Sequence, residues 1–248
     1  MTRAFFRFYA ELNDLLAIDR RRTVIAYRLN GPVAVKHPIE ALGVPHTEVD
    51  LILVDGAPAS FSHLVGEGDR IDVYPPERAI DLEISRQLRP ELPNPPRFVL
   101  DGHLGQLTTY LRLLGFDALY QNDIQDEELA QIAFDEERVL LTRDVRLLMR
   151  KTIVHGYWLR SKEPKEQIKE VLKRFSLKSI VAPWHRCLRC NGRLRKVAKH
   201  EIEDRLEPLT KKYYHEFHIC QDCDQIYWKG SHYLSLRQFI EEIAGEPV

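Results

Sequence analysis

Phe98-Val99-Leu100-Asp101-Gly102-His103-Leu104-Gly105 opens the stretch that decides the fold, and Val139-Leu140-Leu141-Thr142-Arg143-Asp144 closes it. Each begins with a short apolar run bounded by polar residues, as a buried strand does, and each reaches an aspartate where that run ends. Between them Leu104, Leu107, Leu111 and Leu114 recur at helical spacing, and Gly115 supplies the stop expected after a last turn. Ala118–Tyr120 predicts a second strand. Asp126 then precedes a second helical pattern, Leu129, Ile132 and Ala133, with acidic residues crowding the first turn where the helix dipole favours them. Further on, Val145–Met149 predicts a short helix, Ile153–Leu159 a fourth strand and Pro164–Phe175 an amphipathic basic helix. Strands alternating with helices are the signature of βα units, so the class is α/β with a parallel sheet.

Asp101 and Asp144 therefore fall at the C-terminal ends of parallel strands, where open α/β sheets place their ligands, and Asp126 at the start of the intervening helix can face the same edge. Convergent carboxylates repel unless a cation neutralises them, and hard oxygen donors suit Mg²⁺ or Mn²⁺. Such ions can clamp a phosphodiester and activate water. Taken singly, each aspartate is also an ordinary helix cap or turn residue, and spacing alone leaves both roles open. Arg112 and Arg143 flank the acids and are candidates for holding phosphate, with plain surface solvation as the alternative.

Upstream, residues 1–80 read as a small mixed unit. Ala4–Tyr9 and Thr23–Leu29 are strand-like, His37–Leu42 is helical, Glu48–Val54 alternates before the turn Asp55-Gly56, and Arg70–Tyr74 is a last strand. Two strands, a helix and two strands make a β-grasp arrangement. The stretch from Asn30-Gly31 through Gly43-Val44-Pro45 to Gly68-Asp69-Arg70-Ile71 resembles the β-grasp sulfur carriers. Those carriers work through a free C-terminal Gly-Gly, whereas Tyr74-Pro75-Pro76 runs on into more chain, which argues against sulfur transfer. A docking or substrate-guiding surface, detachable from the rest and with a protein or RNA partner, is expected instead. Residues 81–96, charged and rich in proline, read as a linker.

Downstream of residue 180 periodicity gives way to cysteine, glycine and aromatic residues, with a helix expected over Leu234–Ile243. All four cysteines lie in two Cys-x-x-Cys pairs, Cys187/Cys190 and Cys220/Cys223. Two such knuckles can complete the closed tetrahedral shell of structural Zn²⁺, their long spacer holding a hairpin or two. His185, His200, His215, His218 and His232 surround them as substitute ligands that four thiolates make unnecessary.

No stretch has the run of about 18 apolar residues that a spanning helix needs, and a cytoplasmic chain is expected. Residues 1–150 carry 17 Lys+Arg against 24 Asp+Glu, whereas residues 151–248 carry 19 against 13. The excess peaks between Arg160 and Lys212, at 16 against 7, interleaved or flanked by Trp184, Tyr213, Tyr214, Phe217, Trp228 and Tyr233. Basic residues beside aromatic faces suit single-stranded nucleic acid, although most of these rings also serve a small ribbon as its core.

The quoted motifs, with Leu111-Arg112-Leu113-Leu114-Gly115-Phe116-Asp117, Asp126-Glu127-Glu128-Leu129, Arg186-Cys187-Leu188-Arg189-Cys190-Asn191 and Phe217-His218-Ile219-Cys220-Gln221-Asp222-Cys223, resemble the Mut-seven C-terminal RNase family. That resemblance implies a PIN-like nuclease domain over 97–180, a zinc ribbon with a C-terminal helix over 181–248 and a ubiquitin-like unit in front. It also implies RNA as substrate and metal-binding roles for Asp101, Asp126 and Asp144. PIN nucleases often carry a fourth acid near the end of the following strand, and Leu159-Arg160-Ser161-Lys162 offers none. A non-catalytic RNA-binding or ribosome-associated adaptor is the rival expectation.

Overall fold

The structure, a computed structural model, describes residues 2–76, 88, 90–231 and 233–245. Residues 81–87 and 89 of the linker expected over 81–96 fall outside them, and so does His232. The chain forms two compact units, Met1–Pro93 with Gln125–Trp158, and Asn94–Ile124 with Leu159–Val248.

In the first unit, β1 (Arg3–Phe8) alternates exposed and buried residues, which sends Ala4, Phe6 and Phe8 into the core. β2 (Ile25–Arg28) runs antiparallel to it, β3 (Val33–Ala34) and β6 (Leu64–Val65) form a separate ladder, and α1 spans Lys36–Ala41. β4 (Leu51–Val54), β5 (Ala57–Ala59) and β7 (Arg70–Tyr74) complete a sheet ordered β2-β1-β7-β4-β5. The first and last strands are parallel neighbours at its centre, with Phe6 opposite Ile71 and Phe8 opposite Val73. That is the β-grasp topology. Asp55-Gly56 joins β4 to β5 with φ of +50° and +83°, the two left-handed residues of a tight hairpin turn.

The rest of this unit is a βα segment. α3 in chain order spans Asp126–Asp135 and buries Leu129, Ala130 and Ala133. β10 (Val139–Thr142), wholly buried, pairs in parallel with β11 (Gly156–Trp158), Leu140 opposite Gly156 and Thr142 opposite Trp158. α4 (Val145–Leu148) makes the crossover, and Gly156 packs closely under it: a Cβ there would lie 2.5 Å from a Leu148 methyl, which would have to move.

The second unit opens with β8 (Phe98–Leu100), α2 (Gly105–Leu113) and β9 (Ala118–Tyr120), the strands parallel with Phe98 opposite Ala118. α5 (Pro164–Arg174) carries proline at its first position and buries Gln167, Ile168, Val171 and Leu172. The ribbon is a three-stranded antiparallel sheet, β12 (Leu194–Val197), β13 (Phe217–Cys220) and β14 (Ile226–Trp228), followed by α8 (Tyr233–Ala244). Between β12 and β13, α6 (Lys199–Ile202) and α7 (Pro208–Tyr213) occupy the spacer expected to hold hairpins. Pro208 starts α7, and Ile202 with Leu206 covers one face of the small sheet, so a helical insertion supplies its core.

Candidate metal centre and active site

Both cysteine knuckles are built alike. Asn191 and Asp224, each directly after the second cysteine of its pair, take φ of +72° and +56°, which Asn and Asp tolerate better than other side chains. The Cys187 N–H donates to Gly192 O at 2.8 Å and the Asn191 N–H to Cys187 O at 3.0 Å, while the Cys220 N–H donates to Gln225 O at 2.9 Å. A Cβ at Gly192 would lie 2.8 Å from Cys220 Sγ and closer still to the Asp222 carboxylate, so glycine leaves room where the knuckles meet.

The four sulfurs lie within 4.8 Å of one another, Cys187 to Cys223 at 3.6 Å and Cys190 to Cys220 at 3.3 Å. A disulfide needs about 2.05 Å, whereas a tetrahedron with metal–sulfur bonds of about 2.3 Å has edges of about 3.8 Å. The spacing fits a metal such as zinc. Burial pushes the Cys187 thiol up, but hydrogen bonds from the Tyr227 hydroxyl, the Cys190 and Arg189 backbone and Cys223 outweigh it and bring it down to about 7. Burial pushes Cys190 up to about 12 and raises Cys223 as well. A metal would remove this unevenness by ionising all four. Among the described residues no histidine joins the group, and His185 Nδ1 faces the Pro183 carbonyl at 2.9 Å.

Around the first knuckle lies a bracket of residues from the resemblance motifs. Arg112, expected to hold phosphate, is instead buried. Its Nε donates to Ala118 O at 2.9 Å, and its Nη1 donates to Leu188 O at 3.1 Å and Arg189 O at 3.0 Å. Its guanidinium is consumed by backbone carbonyls, and burial lowers its pKa. Asn191 donates to Asp117 Oδ1 at 2.8 Å and accepts the Ala118 N–H at 3.0 Å, and Arg186 donates to Asp117 Oδ2 at 3.1 Å. Tyr227 links the other side, its hydroxyl 3.1 Å from Cys187 Sγ and accepting the Leu188 N–H at 3.0 Å.

Asp101, in the same unit, follows β8 directly and is half-buried. Its carbonyl accepts the Leu104 N–H at 3.0 Å, closing the turn that starts α2. Tyr120, at the end of β9, donates to Gly102 O at 2.7 Å, and a Cβ at Gly102 would lie 2.6 Å from Asn122 O. The two strand ends are thus stitched together next to the acid.

Asp126 and Asp144 belong to the other unit. Asp144 is exposed just beyond β10. Its Oδ1 accepts the Arg146 N–H at 2.8 Å as cap of α4, and its own N–H donates to Thr142 Oγ1 at 2.9 Å. Asp126 is the first residue of α3 rather than its cap, which is Gln125. Arg150 contacts Asp126 at 3.6 Å and Glu127 at 2.8 Å. The Arg150 hydrogen bond holds Glu127 below the usual carboxylate range. Sequence inspection missed Arg150 because nothing in its spacing from Asp126 marks it as a partner. Arg143 is exposed and its carbonyl accepts the Trp158 indole N–H at 3.2 Å.

The β-grasp reaches this strand pair through a buried 3-10 turn, His46–Glu48. Glu48 Oε1 accepts the Trp158 N–H at 2.7 Å, and His46 Nε2 lies 2.8 Å from Ile153 O.

The chain thus combines a β-grasp fold, α/β segments with aspartates at strand ends and a ribbon whose four cysteines are spaced to hold a metal such as zinc. A family model for the Mut7-C RNAse domain matches residues 96–240, and one for the Mut7-C ubiquitin matches residues 1–81. The chain belongs to the Mut7-C RNAse domain family. No curated protein and no solved structure matches it. Membership suggests a nuclease-like function, with RNA as the substrate class. Among the described residues no helix is long and apolar enough to cross a membrane.

Proposed function

We propose that this chain is a cytoplasmic metal-dependent ribonuclease that hydrolyses RNA phosphodiester bonds, with Asp101, Asp126 and Asp144 as metal ligands, Arg143 beside the phosphate and the zinc ribbon assisting RNA binding. The observation that carries it is the Mut7-C RNAse match over residues 96–240, which spans the acids and the cysteines alike. Each strand-end aspartate follows a strand paired in parallel with a neighbour, where ligands of α/β sheets gather. Asp144 spends one carboxylate oxygen on the Arg146 N–H and is exposed, a hard donor of the kind Mg²⁺ or Mn²⁺ takes. When bound, the ion supplies an activated water and charge stabilisation for the leaving oxygen. Arg143 adds a fixed cation next to Asp144 in sequence. The residues 1–80 unit supports this strand pair and offers its remaining surface to a protein or RNA partner.

One observation favours the adaptor reading. Arg150 already pairs with Glu127 at 2.8 Å and lies 3.6 Å from Asp126, so an arginine stands where a metal would compete for the same carboxylate. Cleavage of mixed cellular RNA by zinc-loaded protein, with Mn²⁺ added or withheld, decides between them. Mn²⁺-dependent fragments support the ribonuclease, and intact RNA at saturating Mn²⁺ leaves the adaptor.

A further inference from the structure

The two faces of the ribbon sheet differ. Val197, Phe217 and Ile219 turn to one side and build a core with Ile202 and Ile226. The other side lines a cavity of about 620 Å³. Register places Lys196, His218 and Tyr227 in one row across the three strands, and all three line that cavity. The rings of Trp184 and Tyr233, with centroids 5.1 Å apart at a 31° tilt, line it too. Lys229 sits 5.7 Å from the Tyr233 ring and pairs with Glu216 at 2.9 Å on the same rim. Leucines, Leu194 among them, complete an apolar lining.

A packed aromatic pair, an apolar lining and exposed lysine at the edge match a base with its adjoining phosphate. Ligand pockets of about 300–1,000 Å³ hold molecules of nucleoside size, and stacking on aromatic rings tolerates any base because every base has a π-face. Among the described residues the cavity is lined by Arg186, Lys196 and Lys229 against the single acid Glu216, and the sequence from Arg160 to Lys212 carries 16 Lys+Arg against 7 Asp+Glu, which favours a polyanion over a basic or neutral peptide. We propose that this cavity receives one unpaired nucleobase of single-stranded RNA, stacked on the Trp184–Tyr233 pair with Lys196 meeting the neighbouring phosphate. The assignment rests on RNA being the substrate class. It makes the ribbon a reader of unpaired strand and not only a metal-stabilised support. Tyr227 ties the row to the metal site through Cys187, so the cavity's shape depends on the four cysteines.

The test uses full-length zinc-loaded protein without added Mg²⁺ or Mn²⁺, and fluorescence anisotropy of a labelled tetranucleotide RNA. Replacing one inner nucleotide by an abasic residue should weaken binding about tenfold, within the range that loss of one base stack gives. Lys196→Glu, at an exposed position, and Tyr233→Ala, which removes one ring of the stacking pair, should each weaken binding severalfold. Zinc content and melting temperature establish that each variant is folded. Equal affinity for intact and abasic RNA overturns the pocket, whatever the cleavage assay gives. A tyrosine-containing acidic peptide that binds as tightly as the tetranucleotide overturns it in favour of a peptide site. Base-dependent binding with no Mn²⁺-dependent cleavage upholds the pocket and overturns the nuclease reading alone.

Discussion

Glu48, on the β-grasp, accepts the backbone N–H of Trp158, at the end of β11, at a distance of 2.7 Å. Trp158 pairs with Thr142 of β10, and its indole donates to Arg143 O, the residue before Asp144. A buried carboxylate of the ubiquitin-like segment therefore holds the strand pair that carries a candidate catalytic acid. Removing residues 1–80 would strip these partners from the Trp158 N–H and the Ile153 carbonyl, so a truncated chain is expected to lose stability at this strand pair.

Glu48→Ala should accordingly lose about 1.5–3 kcal/mol, the range for a buried hydrogen bond to a charged group. Glu48→Gln, which keeps an acceptor in place, should lose less. Urea unfolding of both variants checks the order. A Glu48→Ala protein as stable as wild type would show that the contact contributes nothing.

Arg112 should behave as part of the metal centre. Its side chain spans from Ala118 O to two carbonyls of the first knuckle, a job for the planar fork that lysine cannot copy. Arg112→Lys and Arg112→Ala should both weaken zinc retention, and the alanine variant should lose roughly 2–4 kcal/mol because buried carbonyls are left without their charged donor. Normal zinc content in both variants, with only RNA affinity reduced, would restore the phosphate-holding role.

Purified protein should carry about one zinc per chain, since four thiolates fill a structural site. Cys187→Ser or Cys220→Ser should lose the metal and unfold the ribbon, and acidification should release it because the ligands must be deprotonated. Elemental analysis of reduced, unchelated protein finding no zinc would contradict the site.

Strand positions were legible because apolar runs and turn residues are local signals. Phe98–Leu100, Ala118–Tyr120 and Arg70–Tyr74 were read to the residue. The cysteine tetrad was legible for the same reason, two knuckles of fixed spacing. What spacing could not show was partnership across the chain. Nothing local tells that Glu48 meets Trp158, that Arg112 turns inward to Leu188 O, or that Arg150 finds Glu127. The helices at Lys199–Ile202 and Pro208–Tyr213 were missed because each is too short to repeat an apolar period.

Arg150 offers a direct probe of competition with metal. It holds Glu127 below the ordinary glutamate range, so this pair's stabilising effect is present above that range and fades as pH falls through the depressed value. Arg150→Gln should move the Glu127 carboxyl back up, read by NMR titration, and should tighten Mn²⁺ binding by freeing Asp126. Weaker Mn²⁺ binding in Arg150→Gln would mean that the arginine orients the acids for metal instead of competing with it.

Asp144 separates the structural role of the candidate acids from the chemical one. As cap of α4 it accepts the Arg146 N–H through Oδ1, and asparagine caps a helix about as well as aspartate does. Asp144→Asn should therefore melt within a few tenths of a kcal/mol of wild type, whereas Asp144→Ala, which removes the cap, should lose about 1 kcal/mol. Cleavage should respond differently. Replacing a charged oxygen ligand by a neutral amide weakens Mg²⁺ or Mn²⁺ binding, so both variants should lose Mn²⁺-dependent RNA cleavage by orders of magnitude. Asp101→Asn and Asp126→Asn are expected to follow Asp144→Asn in activity. Melting and cleavage measured together on the four variants give distinct patterns. A cap role alone predicts that Asp144→Asn matches wild type in both, and that outcome would remove Asp144 from the catalytic assignment.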